Sequence, residues 1–196
     1  LLIEGNTIQG NGDDGIDIRL GSQSVPVTSP SNAQISGTIR NNTISTPALT
    51  VTSGQTGIQV EAQSFTQANV TIESNTINIA NVGFSGINLQ TRSVTNLFGA
   101  VTPDPANPRI SANVRLNTIT GNGTPGVTVQ TNIQPPSPLI PGLPQTICVN
   151  LTGNNSTNGY TLTNTLPGAT LQFVNGGGNT GAIAQTGAIT PVAACP

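Results

Sequence analysis

The residues best able to do chemistry are Asp13, Asp14 and Asp17, the densest charge in the chain, in the string Asn11-Gly12-Asp13-Asp14-Gly15-Ile16-Asp17-Ile18. Clustered carboxylates move protons when a partner of matched acidity stands beside them. Here such partners are few. The chain has five arginines, seven acidic residues and no histidine or lysine. Arg19 is the only basic residue close to the cluster. The plainer use of the same residues is a polar turn at Asp13 and Asp14, with Asp17 facing solvent. Cys148 and Cys195 are the only thiols. Without histidine they cannot make an ordinary Cys/His zinc site. They are either two separate buried thiols or a disulfide tying the C-terminal tail to the last repeat. The disulfide is the preferred reading. It would contribute at most about 4 kcal/mol in the chain-entropy model and implies an oxidising compartment.

These residues hang on a repeat. Gly-apolar-polar-apolar occurs at Gly15-Ile16-Asp17-Ile18, Gly57-Ile58-Gln59-Val60, Gly86-Ile87-Asn88-Leu89, Gly126-Val127-Thr128-Val129 and Gly159-Tyr160-Thr161-Leu162. Asn-Thr-Ile begins at Asn6, Asn42, Asn75 and Asn117. Such repetition means one short supersecondary unit stacked on itself, and the uneven spacing means loops of varying length on a constant core. Alternation puts one face of each Gly-led strand in the core and leaves Asp17, Gln59, Asn88, Thr128 and Thr161 wet. Ile3, Ile39, Ile72 and Val114 before the marker Asn, and Ile8, Ile44, Ile77 and Ile119 after it, form apolar columns. Each unit reads as strand, Asn turn, strand, variable turn, Gly-led strand and long return. Asn suits the turn because it tolerates left-handed backbone and because stacked amides can chain together. In the last unit Asn150 stands at the same offset from Gly159 as Asn6 does from Gly15. The column is therefore expected to run Asn6, Asn42, Asn75, Asn117, Asn150, with Ile147 on the apolar column and Thr152 replacing the second Ile. Tyr160 takes a core position. Thr170 to Val174 reads as a closing strand.

In its Asn-Thr-Ile turns and Gly-Ile-x-Ile strands the chain resembles right-handed parallel β-helix proteins of the pectin-lyase-like type, over roughly residues 1–174. The resemblance implies an all-β, right-handed parallel β-helix solenoid of about five coils. A Gly-rich tail over 175–196, tied by the disulfide, would follow. That fold hosts polysaccharide enzymes, phage tailspikes, adhesins and surface fibres, so it implies no single activity. Polygalacturonases are similar in having paired Asp just before a core strand. Carried over, Asp13 and Asp14 would be the acid and base flanking a glycosidic bond. That family also needs a His between glycines and a basic pair, and this chain has no His and no Lys. A lyase would want Lys or Arg as base beside acidic calcium ligands. The stretch Gly10 to Ile16 also resembles one calcium-binding nonapeptide repeat of secreted toxins, which would make Asp13, Asp14 and Asp17 calcium ligands. The nearest internal counterpart, Gly121 to Val127, has Pro125 where a ligand Asp would stand.

Three insertions follow Gly-led strands, at 19–34, 91–109 and 131–144, the last two rich in proline. Proline cannot donate to a sheet, so these are expected to be extended loops on one side, offering a contact surface for a subunit or glycan. Charged residues are only 6% of the chain, and the net charge of −2 leaves no basic patch for nucleic acid. No apolar run is long enough to span a bilayer. Four Phe, one Tyr and no Trp make an aromatic sugar-stacking platform unexpected. Asn-x-Ser/Thr triplets begin at Asn41, Asn69, Asn122, Asn150, Asn154 and Asn155, as chance would give in so Asn- and Thr-rich a chain.

The first expectation is a non-catalytic structural or adhesive module outside the cell: part of a surface layer, fibre, sheath or adhesin. Leu1 lies inside a repeat, so the partners expected are further coils of a longer chain or a second subunit joined end to end. The alternatives are a polysaccharide-binding or polysaccharide-cleaving protein using Asp13, Asp14 and Asp17, and a phage tail fibre segment of three bundled helices. The uniformly polar wet positions weigh against bundling.

Overall fold

The computed structural model describes residues 1–10, 14–21, 32–46, 56–63, 65–80, 84–93, 107–121, 125–133 and 144–196, and all regular structure among them is β-strand. The chain runs through β1 (Leu2–Glu4), β2 (Thr7–Gln9) and β3 (Ile16–Leu20). It repeats the course in β4 (Gln34–Arg40), β5 (Thr43–Thr46) and β6 (Ile58–Gln63). Next come β7 (Gln67–Glu73), β8 (Thr76–Ile79) and β9 (Ile87–Ser93), then β10 (Arg109–Arg115), β11 (Thr118–Gly121) and β12 (Val127–Ile133). After these stand β13 (Thr146–Thr152), β14 (Asn155–Ser156) and β15 (Tyr160–Asn164). The chain closes with β16 (Thr170–Gly177), β17 (Ile183–Gly187) and β18 (Ile189–Pro191).

Like strands stack on like. Sheet A has seven strands in the order β1-β4-β7-β10-β13-β16-β18, sheet B five in the order β14-β11-β8-β5-β2, and sheet C six in the order β17-β15-β12-β9-β6-β3. Every pairing is parallel, as in Ile39 opposite Ile72 and Ile58 opposite Ile87. One core cluster draws on all three sheets, and Ile39, Ile72, Ile77, Ile87 and Leu89 within it are fully buried. Removing such apolar surface from water is the main stabilising term, roughly 25 cal/mol per Å2. The insertions the sequence marks all leave a sheet C strand and lead to a sheet A strand. Their middle parts, 22–31, 94–106 and 134–143, lie outside the described residues.

The structure explains why glycine leads the sheet C strands. A Cβ on Gly57 would sit 2.5 Å from both Ile77 Cγ2 and the Gly86 carbonyl oxygen. The apolar column of sheet B thus packs directly on the backbone at the start of sheet C, and only a hydrogen fits there.

The left-handed backbone expected of the marker Asn belongs instead to the residue before it. Asn41, Ser74 and Leu116 each have φ of 56°, and Gly5, Gly153 and Gly178 lie between 62° and 69°. Left-handed backbone costs a non-glycine residue roughly 1–2 kcal/mol. The Asn is therefore selected for its amide.

Residues after 175, expected as a tail, carry β17 and β18, which add to sheets C and A over β15 and β16. The segment after β18 turns back along sheet A. Val192 N–H donates to the Phe173 carbonyl at 3.0 Å, Cys195 is disulfide-bonded to Cys148, and Ser111 Oγ donates to the Pro196 oxygen at 3.1 Å.

Candidate functional site

The turn between sheets A and B holds a column of buried amides. Asn6 donates both its backbone N–H and its Nδ2 to Asn42 Oδ1, each at 3.0 Å. Asn42 donates in the same way to Asn75, and Asn75 to Asn117. Asn117 donates to Asn154 at 3.1 and 2.9 Å, and Asn154 to Asn179 at 3.0 Å twice. The second Nδ2 proton closes on sheet A, as from Asn75 to the Ile39 carbonyl at 3.0 Å. Asn42, Asn75, Asn117 and Asn154 are at most 1% exposed. A buried amide is tolerable only when it is bonded in this way.

The fifth member corrects the sequence reading. Asn150 lies in β13, opposite Asn113, and its Nδ2 makes only a 3.3 Å bond to Asn113 Oδ1. Leu151, opposite Val114, takes the apolar position assigned to Ile147, which pairs instead with Ile110. Ser156, opposite Ile119, takes the position assigned to Thr152. While Tyr160, opposite Val127, keeps the place expected in the Gly-led strand, the sheet A strand and turn of this unit are thus displaced by four residues. Its signal, apolar-x-Gly-Asn, was present in Leu151-Thr152-Gly153-Asn154, as in Ile3-Glu4-Gly5-Asn6. Ser156 leaves room that Tyr160 fills. The Tyr160 ring is 1% exposed, and its hydroxyl donates to the Asn154 carbonyl at 2.9 Å. Burial pushes its pKa up to about 12.

The acidic cluster sits at the start of sheet C. Asp14 Oδ1 accepts from Thr56 N–H at 2.8 Å, and Oδ2 lies 3.4 Å from Arg19 Nη2. Arg19 Nε is 2.7 Å from Asp17 Oδ2. Partial burial works to lower the Arg19 pKa, but Asp17, Glu61 and Asp14 together carry it upward. Asp13 lies outside the described residues. Among those described, no group of three or more His, Cys, Asp or Glu side chains is placed to hold a metal ion.

No motif in the chain marks Glu61. Alternation makes it a wet residue, opposite Arg19 and Gln90, yet it is fully buried. Gln59 and Gln63 beside it are 7% and 1% exposed. Gln63 Nε2 donates to one carboxylate oxygen of Glu61 and Gln90 Nε2 to the other, at 2.5 Å for the latter. Arg92 Nε lies 3.5 Å from the same carboxylate. Gln130 extends the amides by donating to Gln90 at 3.0 Å.

On sheet A, Glu4 meets Arg40 at 2.9 Å and Glu73 meets Arg115 at 2.6 Å. Hydrogen bonding from Arg40 holds the Glu4 carboxyl below its usual range. Every acidic side chain among the described residues is thus engaged by an arginine, an amide or a backbone N–H. Among the described residues, Arg109 is the one arginine that faces no carboxylate. Comparison of the chain with protein-family models, curated proteins and solved structures returned no match to any of them.

Proposed function

We propose that the chain is a non-catalytic structural or adhesive module working outside the cell. In this reading the three sheets close on one another as a right-handed parallel β-helix of about five coils, finished by the strands after Thr170. The fixed visiting order of the sheets, the all-parallel pairing and the shared core support that closure. The Cys148–Cys195 disulfide is in keeping with an oxidising compartment.

The observation that carries the reading is the fate of the polar groups. The amides of the Asn column are spent on one another, and the carboxylates Asp14, Asp17 and Glu61 on Arg19, Arg92 and the glutamines. A general acid or base needs an oxygen free to meet its substrate. A scaffold needs the opposite. End-to-end assembly belongs to the same reading, because parallel sheets offer unpaired backbone at their outer strands.

The test is turnover. The purified chain is incubated with a panel of acidic and neutral polysaccharides, and reducing ends and unsaturated uronides are measured. The expected result is no release above a heat-treated control. Release that disappears in Asp14→Asn or Glu61→Gln would overturn the proposal.

A further inference from the structure

The Asn of each Asn-Thr-Ile motif serves the amide column and the Ile packs in the core, which leaves the Thr between them without a task. Sheet B brings these threonines together. Thr7 stands opposite Thr43, Thr43 opposite Thr76, and Thr76 opposite Thr118. The row continues through Asn155, opposite Thr118, to Thr180, which bridges to Asn155. Side chains alternate along a strand, and the Ile after each Thr packs on the core, so the threonines point outward. Thr7, Thr43 and Thr76 are exposed and Thr118 is half-buried. Two residues further along each strand lies a second outward row, Gln9, Ser45, Asn78 and Thr120.

The fold does not ask for Thr at each of these positions. On the outward side of the other sheets, the residue at one register position changes from strand to strand. Arg40, Glu73, Arg115 and Thr152 share one row of sheet A. Asp17, Gln59, Asn88, Thr128 and Thr161 share one row of sheet C. Strand propensity favours Thr, but it favours Val, Ile and Tyr as well. The outward residues of sheet B are all uncharged. Its register runs unbroken from β2 to β14, whereas sheet A shifts between Leu151 and Thr152. No hydrogen bond joins the hydroxyls of Thr7, Thr43, Thr76 and Thr118 to another described residue.

We propose that the outer face of sheet B binds ice, the Thr row meeting the ordered water of the crystal surface. The proposal names a surface to which the module adheres and rests on the reading above only for its place outside the cell. Adjacent strands lie about 4.8 Å apart and outward residues along one strand about 6.6 Å apart, so the row spans about 24 Å. Hexagonal ice repeats its surface oxygens at distances close to both spacings. A hydroxyl donates and accepts hydrogen bonds, as a lattice water does. A charged side chain would have to give up its hydration to lie against ice, at a far greater cost than a hydroxyl. Branching at Cβ restricts the Thr rotamer, and the parallel ladder fixes the backbone. The row is therefore ordered before it meets the crystal, which lowers the entropy lost on contact.

The test is ice growth in the presence of the full chain. Ice is grown slowly on a cold probe and the share of protein taken into it is measured. The gap between melting and freezing points is read on a single ice crystal. Wild-type protein is expected to enter the ice, to shape the crystal, and to open a gap that widens with concentration. Thr76→Glu sets a charge in the middle of the row and should lose both signals. Thr43→Tyr keeps strand propensity but stands proud of the row, and it should lose them too. Thr76→Ser keeps the hydroxyl without the branched side chain and should retain part of each. Asn69→Glu, on the exposed outer face of sheet A, should leave both unchanged. Circular dichroism and the urea midpoint check that each variant folds, and if one of the two disruptive variants does not, the other decides. Wild type excluded from the ice, an undiminished Thr76→Glu or Thr43→Tyr, or an equal loss in Asn69→Glu would each overturn the proposal. Failure to bind ice leaves the non-catalytic reading untouched, and polysaccharide turnover would sink that reading without touching this face, so the two failures are distinguishable.

Discussion

Strand β10 begins at Arg109 and ends at Arg115, and the two arginines share a face but not a situation. Arg115 stands at the end where sheet A turns into the Asn column, paired with Glu73 and one residue from the left-handed Leu116. There, polar groups are closed on one another. Arg109 stands at the other end, beside the exposed Gln67, and meets no carboxylate among the described residues. The contrast teaches where to look for function in so uncharged a chain. A polar group that is spent holds the structure together. One left exposed and unspent on a rigid sheet is available to something else.

The largest expected effect lies at the closed end. Asn75→Ala removes the acceptor of the Asn42 N–H and of one Asn42 Nδ2 proton, and the amide that donates to the Ile39 carbonyl. Burying such groups unsatisfied should cost about 3 kcal/mol. Asn150→Ala, outside the column, should cost less than about 0.5 kcal/mol. Urea unfolding of both variants measures the difference, and equal losses would dissolve the distinction between column and surface.

Tyr160 extends the comparison to pH. Its hydroxyl supports the Asn154 carbonyl within the column, and its folded pKa of about 12 lies above the ordinary value of 10. The neutral form is therefore the one the fold prefers. Its contribution is fully present below pH 10 and is lost as pH rises from about 10 towards 12. The chain has one tyrosine and no lysine, and its described structure has no free cysteine, so little else titrates in that window. Thermal melts from pH 9 to 12 should fall for wild type. For Tyr160→Phe they should stay flat from a starting point about 1 kcal/mol lower.

A smaller gain is expected at Leu116, which is 60% exposed at φ 56°. Leu116→Gly should relieve left-handed strain and stabilise by up to about 1 kcal/mol, read as a raised denaturation midpoint. The smallest effect contrasts the arginines directly. Arg115→Gln should cost about 0.5 kcal/mol, diminishing in high salt, while Arg109→Gln should change stability by less than that. A destabilised Arg109→Gln would mean that the open end is not open.

Much of the fold was legible because the repeat imposes the same demand each time. An apolar residue, a turn and an Asn recur wherever backbone must pass from sheet A to sheet B. What went astray was the last unit, aligned by its distance to Gly159 rather than by what the turn needs. That distance contracts because Ser156 and Tyr160 rebuild the corner. Glu61 and Arg109 were illegible for another reason. Alternation tells which face a residue takes, but not whether that face is covered, and pairing depends on register across strands far apart in sequence. The acidic triplet drew attention by its density, whereas the buried Glu61 is marked by partners on another strand, Gln90 and Arg92, which no local string can display.

The amides from Asn6 to Asn179 are all oriented alike, with oxygens towards the start of the chain and N–H groups towards its end. Their dipoles therefore add, giving the stack an electrical direction carried by side chains. Because linked hydrogen bonds polarise one another, removing a central member weakens those on both flanks, whereas removing Asn179 can weaken only one.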